Sequence, residues 1–401
     1  MRTRVGFSAA RALGASSVAA AIAYLLLRPR ERSVTPLAVP LEECFEPGEV
    51  ARARAFERPQ RRLASANAAA SFALLALLAR SDERQIAQRG GPATALDGVR
   101  LATALSAARL PLTALARRRA LAAGIATQSW PGWTLDAARA TAIEGTVAAA
   151  AGALLWLLQD RAGERWWQAA APAALAAATL AAFAAPVLLD PLFNDFEPLP
   201  DGPLRRSVLE LARRAGVRVR EVYRVDASRR TNAVNAYVGG LGATRRIVLF
   251  DTLIERFGER QTELVVAHEL AHVRRRDVAR GLAFASLTAP AAAFAVARLA
   301  PALAPDGAGG LTLPAVAFAA ALVGALTSPW GRALSRSVER RADAFALGLT
   351  GDPDAFVEFE REVTRTNLAD PQPPRWRTLL FATHPPAVER IGAALALRRA
   401  P

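Results

Sequence analysis

Seven apolar segments, at residues 9–27, 63–79, 101–116, 140–158, 168–189, 281–304 and 311–329, constrain this chain more than anything else in it. One bilayer crossing needs about 20 predominantly apolar residues, and a water-soluble domain has little use for so many Ala, Leu and Val blocks. The pattern predicts a mainly α-helical protein that crosses a membrane several times. The third segment is the weakest, because it carries Arg109 and Pro111. The sixth carries Arg298, which can snorkel to the surface or face the protein interior. No small-residue cleavage site of the A-x-A kind closes the first segment before Arg28, so it reads as an anchor rather than a removable leader.

The formal net charge is +15, and every Lys/Arg position is arginine. The arginines gather beside the apolar segments. The first loop holds Arg28, Arg30, Arg32, Arg52, Arg54, Arg58, Arg61 and Arg62, and the third holds Arg117, Arg118, Arg119 and Arg139. The second and fourth loops hold fewer, Arg80, Arg84, Arg89 and Arg100 in one and Arg161 and Arg165 in the other. The positive-inside rule then predicts that the first and third loops are cytoplasmic, against the pull of Arg2, Arg4 and Arg11 at the N-terminus. With no Gly-rich phosphate loop, zinc-knuckle cysteines or aromatic–basic interleaving, no nucleic-acid partner is expected. Cys44 is the only cysteine, which excludes an intramolecular disulfide.

Two polar regions break the apolar pattern. The chain divides into an N-terminal transmembrane region (1–189), a first polar part (190–280), a two-span hairpin (281–331) and a second polar part (332–401). The first polar part is too long for a simple connection and reads as a folded unit. Asp201 is placed to cap a helix from Pro203 that ends at Gly216, with Leu204, Val208, Leu211 and Ala212 on one face. Val217, Val219, Tyr223 and Val225 share one face of a strand. Residues 231–240 read as a second extended segment ending in a Gly-Gly turn, and 246–250 as a third. Asp251 and Thr252 open the next helix. Cys44, in the first loop, and Asp306, between the last two segments, are expected on opposite sides of the membrane.

The chemistry lies in V-V-A-H-E-L-A-H-V at 265–273. His268 and His272 are four residues apart, so on a helix they leave one face and can hold one metal ion, with Glu269 beside them. Catalytic zinc usually takes three protein ligands. The H-x-x-G-x-x-H extension is absent, since Arg276 and Gly281 follow instead. The third ligand is then either His384, the one remaining histidine, or a carboxylate. Glu339 and Asp343 also share a helix face four residues apart, so one can bind metal while the other orients a ligand histidine from behind.

Nearly end to end, the chain resembles the type I CAAX prenyl protease family, multi-span membrane zinc peptidases with a glutamate ligand. The resemblance rests on P-L-F-N-D-F-E-P-L at 191–199, Asn235-Ala236-Tyr237, R-I-V-L-F-D-T-L at 246–253, His268-Glu269-x-x-His272, Glu339-x-x-Ala342-Asp343, and His384-Pro385-Pro386 with Glu389-Arg390. Thr127-Gln128-Ser129 matches a further family stretch, and Thr383 stands where many members have serine. The resemblance implies a membrane protein with a gluzincin-type peptidase domain containing a small β-sheet. It implies one zinc ion per chain on His268, His272 and Glu339, with Glu269 as general base. It implies His384 and Arg390 as substrate or transition-state contacts, and Asn235 to Tyr237 as the strand that pairs with substrate.

The expected partners are therefore a peptide or membrane-protein substrate and the lipid bilayer of the cell membrane, with the peptidase part on the cytoplasmic side. Two rivals differ in observable ways. A quality-control protease of the HtpX type has fewer spans, and a scaffold or transporter with structural zinc has no use for Glu269.

Overall fold

The computed structural model describes residues 2–31, 34–82, 84–239, 245–305 and 310–398. Seven long helices dominate it: α1 (Arg2–Leu27), α2 (Pro47–Ser81), α3 (Gly91–Ala122), α4 (Trp130–Ala162), α5 (Trp166–Ala184), then, after the first polar part, two that we number α9 (Asp277–Leu303) and α10 (Leu313–Thr350). Each predicted apolar segment falls on one of them, the fifth running on past Ala184 through a π-helical turn at Ala185–Leu189. Five stretches are long and apolar enough to cross a bilayer: Ala9–Leu27, Pro47–Ser81, Trp130–Ala184, Asp277–Leu303 and Leu313–Thr350. The 55-residue stretch Trp130–Ala184 is two helices, α4 and α5, separated by a single 3₁₀ turn at Gly163–Arg165. The polar third segment, in α3, is not among the five.

Yet the ends of α3 lie at opposite faces of the molecule. Before it, Gln85 bridges to Thr312, and Ile86 packs with Trp166, Leu299 and Val316 in a cluster at the loop ends of α5, α9 and α10. After it, Ala126 bridges to Thr231, and the Thr127 hydroxyl donates to the Ser228 carbonyl at 2.7 Å, both in the first polar part. The first loop joins that same side, where Cys44 and Phe45 pack with Leu264 and Leu347. The chain therefore passes from one face to the other along α2 and back along α3. The long helices pack neighbour to neighbour, α9 on α5, α5 on α4, α4 on α3, α3 on α2 and α2 on α10, and α1 lies against α9 and α10.

The first polar part folds around a four-stranded sheet of β1 (Phe196–Pro198), β2 (Glu221–Val225), β3 (Ala236–Gly239) and β4 (Arg246–Phe250), in the order β1-β2-β4-β3. The β2–β4 pair is parallel and the other two are antiparallel, with Val248 opposite both Tyr223 and Tyr237. Ile247, Val248 and Leu249 are fully buried, as a central strand covered on both faces demands. Helices α6 (Pro203–Arg214), α7 (Asp251–Arg256) and α8 (Glu259–Arg274) complete this part. Val208 and Leu211 of α6 and Val266 and Leu270 of α8 share one core with the sheet.

Several local expectations change. Asp201 makes an ion pair with Arg205 at 2.8 Å, and the N-cap of α6 is Gly202, without a side-chain bond. β2 starts only at Glu221, because residues 217–220 form the connection out of the positive-φ turn at Gly216. The extended segment is ordered as a strand only from Ala236, and Gly240 lies outside the described residues, as does Asp306. β1 has no hydrophobic run to announce it. Cys44 is buried, so it cannot report sidedness to a reagent in solution.

The helix α10 is the largest departure in outline. At 38 residues it is about 57 Å long. It runs through Pro329, which costs one backbone bond without ending the helix, and it crosses the boundary placed at 331/332. Beyond it come α11 (Pro353–Thr366), α12 (Arg375–Phe381) and α13 (Ala387–Arg398).

Candidate metal centre

Helix α8 buries Thr262, Leu264, Val266, Ala267, Leu270 and Ala271. That leaves His268, Glu269 and His272 on the side turned to α10. The 3.6-residue period brings the two imidazoles together, with Nε2 to Nε2 at 3.2 Å. From α10, Glu339 meets them, Oε2 lying 3.1 Å from His268 Nε2 and Oε1 3.8 Å from His272 Nε2. One donor atom from each of the three lies within 4.8 Å of the others.

Each histidine is gripped from behind. His268 Nδ1 lies 2.9 Å from Asp343 Oδ1, and His272 Nδ1 lies 3.1 Å from Asp277 Oδ2. Carboxylates accept, so each Nδ1 donates and each Nε2 is the nitrogen left to offer a lone pair to a cation. Two lone pairs and a carboxylate oxygen then converge on one point, an arrangement that a cation relieves. A tetrahedral ion with bonds of about 2.0–2.1 Å sets its ligands roughly 3.3 Å apart. The donor set and its spacing fit a metal. Burial disfavours charge on His268, yet hydrogen bonds accepted by the Asp343 and Glu339 carboxylates outweigh it and raise the pKa of the metal-free imidazole to about 10, a measure of the surplus negative charge around it.

The other predicted residues divide into two groups. Close to the cluster, His384 sits on the loop before α13 with Nε2 3.3 Å from Glu339 Oε2, and its Nδ1 is 2.9 Å from the Thr383 hydroxyl. The Glu269 carboxylate has no hydrogen-bond partner among the described residues, and burial pushes its pKa up. Asn235 is exposed just before β3, an edge strand that packs on α8, while Ala236 is buried. The Tyr237 hydroxyl donates to Asp190 Oδ2 at 2.9 Å.

Arg390 stands one layer back. Its Nε and Nη2 clamp Asp343 at 2.8 and 2.6 Å, and its Nη1 reaches Glu360 at 2.6 Å. All its donor directions face buried carboxylates, so its contact with the cluster runs through Asp343 and His268. Asp277 has a matching partner in Arg341, whose Nη2 donates to Oδ1.

Asp277, Arg341 and Glu360 are absent from the sequence-derived set. Asp277 is five residues past His272, off its face in a straight helix. It reaches the ring because Arg276 takes a left-handed conformation, φ 55°, and turns the chain between α8 and α9. Glu360 did leave a signal. It lies on the buried face of α11 with Phe356, Val357 and Thr364, and a glutamate there requires a partner. Burial lifts its pKa to about 7 in spite of Arg390.

A bundle of membrane helices that delivers an H-E-x-x-H helix and a glutamate to one point defines a membrane metallopeptidase. The model of peptidase family M48 matches residues 198–398, and the chain belongs to that family. It is 29% identical to an uncharacterised metalloprotease, YhfN, of Bacillus subtilis over 301 residues, 73% of this chain and 71% of that one. It is 31% identical over 219 residues to the CAAX prenyl protease 1 homolog of Oryza sativa, 52% of this chain and 51% of that one. The fold is that of the crystal structure of S. mikatae Ste24p, with a TM-score of 0.71 and 20% identity over 98% of each chain. The protein is a multi-pass membrane hydrolase with a metal cofactor, and it resembles the CAAX prenyl proteases.

Proposed function

We propose that the chain is a zinc-dependent endopeptidase that cuts membrane-associated peptides on the cytoplasmic side of the cell membrane. The observation that carries this is the convergence of His268, His272 and Glu339 donors beside a buried Glu269 that has no hydrogen-bond partner among the described residues. In this reading those three residues hold one zinc ion, which when bound polarises the scissile carbonyl and acidifies a water. Asp343 and Asp277 keep both imidazoles in the ligating tautomer, and Arg390 and Arg341 hold those carboxylates. Glu269 takes the proton of the attacking water and returns it to the leaving amine, and its burial suits it to both steps. His384, exposed and beside Glu339, donates to the developing oxyanion. Arg390 acts through Asp343. An extended peptide adds to the free edge of β3 at Asn235, Ala236 and Tyr237, held by main-chain bonds that read little sequence.

Purified protein in phospholipid vesicles, loaded with zinc, is expected to cleave a farnesylated C-terminal peptide. A strong chelator should remove that activity, and added zinc should restore it. Equal cleavage of the unprenylated peptide would show that the lipid group is not what the enzyme selects and would keep the peptidase. Cleavage that survives complete loss of metal would remove the peptidase reading.

The cytoplasmic orientation rests on the arginine bias, and cysteines introduced in the Cys44→Ala background test it. A thiol at Glu259, exposed at the start of α8, should react with a membrane-impermeant reagent only after the membrane is opened. One at Arg161, at the opposite end of α4, should react in intact cells. The reverse pattern would invert the protein.

A further inference from the structure

The short helix α12 is amphipathic the wrong way round for water. Trp376, Leu379, Leu380 and Phe381 are 60%, 56%, 42% and 58% exposed, while Arg377 and Thr378 are half-buried, Arg377 lying over the Trp376 ring at 6.0 Å. Its neighbour α11 shows the usual arrangement and buries Phe356 and Val357. Beyond Leu326, these four are the exposed large apolar residues among the described residues. The earlier ones belong almost entirely to the membrane helices. In its surface chemistry α12 resembles a span, yet seven residues cannot cross anything.

Its position identifies what covers it. α12 is fastened to α10 where that helix leaves its apolar stretch. Arg332 donates to the Leu380 carbonyl and lies over the Phe381 ring at 5.5 Å, and Arg336 donates to the Ala382 carbonyl at 2.6 Å. Two residues before Arg332, Trp330 packs on Tyr24 near the end of α1, with ring centroids 6.1 Å apart. Tyr and Trp at the ends of spans mark the headgroup level, so α12 sits beside that belt. The charge also matches. Residues 371–388 contain Arg375 and Arg377 and no Asp or Glu.

We propose that α12 is an in-plane membrane anchor whose Trp376, Leu379, Leu380 and Phe381 enter the headgroup–acyl boundary of an anionic bilayer. An apolar face with basic neighbours is how helices lie in that boundary. His384 follows Phe381 by three residues and approaches Glu339, so the anchor fixes one wall of the metal centre at the lipid surface.

The test is a depth measurement on the full chain in vesicles of phosphatidylcholine with phosphatidylglycerol. A nitroxide is attached to Leu379→Cys in the Cys44→Ala background, and its collisions with oxygen and with a water-soluble nickel chelate are compared. Reference labels sit at Leu326, on the span α10, and at Arg213, 79% exposed on α6. Retention of metal by each labelled protein shows that it is folded. The anchor predicts that the Leu379 label favours oxygen, as Leu326 does, and that the preference weakens when phosphatidylglycerol is left out. A Leu379 label as accessible to nickel as Arg213 overturns the proposal. So does shielding that appears only on addition of a lipidated peptide, which would assign the patch to substrate. Shielding that vanishes as the protein is diluted in the bilayer also overturns it and assigns the patch to a second copy.

Discussion

The Glu269→Gln protein is expected to bind metal as the wild type does and to cleave peptide about 10²–10⁴-fold more slowly, the usual worth of a general base. The expectation separates Glu269 from the metal-binding cluster, although it neighbours His268 in sequence. Its carboxylate has no hydrogen-bond partner among the described residues, whereas the donors of His268, His272 and Glu339 all face one point. Glutamine keeps the volume and removes the basicity, so the buried surroundings are little disturbed. Zinc content by mass spectrometry and turnover on one preparation check both halves together. Activity near that of the wild type would take Glu269 out of the mechanism.

A comparison of Glu339→Ala with His384→Ala should show the second large effect. Both side chains approach the cluster, and in sequence either could supply the third ligand. In the structure they differ in support. Glu339 is 9% exposed on the continuous helix α10 and meets both imidazoles of α8, whereas His384 is 60% exposed on a loop and approaches the cluster through Glu339. Loss of Glu339 should weaken zinc binding by more than the 10–100-fold typical of groups that merely brace a ligand. Loss of His384 should spare zinc and slow turnover by about 10²–10³-fold, as removal of an oxyanion donor does. Competition against a chelating dye measures the affinities. Metal loss in the histidine variant, with none in the glutamate variant, would exchange the two roles.

What the sequence disclosed follows from which interactions are local. His268 and His272 are one helical turn apart, so periodicity alone joins them. Glu339 and Asp343 repeat that spacing and are legible as a pair. The apolar segments are contiguous, so their places are legible, and even the polar one in α3 is a long helix between loops tied to opposite faces. The partners of the histidines were harder. Asp343 is 75 residues from His268; helix spacing offers either it or Glu339 as the orienting group, and the resemblance decides between them. Asp277 depends on one left-handed residue, Arg276, that no periodicity announces. The direction of Arg390 was not legible either, because it is set by Glu360 and Asp343 arriving from two other helices.

The run of α10 from the bilayer to the metal has an architectural cost. Glu339, Arg341 and Asp343 occupy the same unbroken helix as the apolar residues from Ala315 to Val323, and Asp277 begins the other membrane helix of the hairpin. No cut through the chain separates a water-soluble catalyst from its anchor. Removal of α9 and α10 whole takes one candidate ligand and the carboxylates behind both histidines with it, and retaining them retains the membrane. The candidate metal centre is thus built partly from the two membrane helices themselves, and whatever loosens the grip of the bilayer on them reaches it directly.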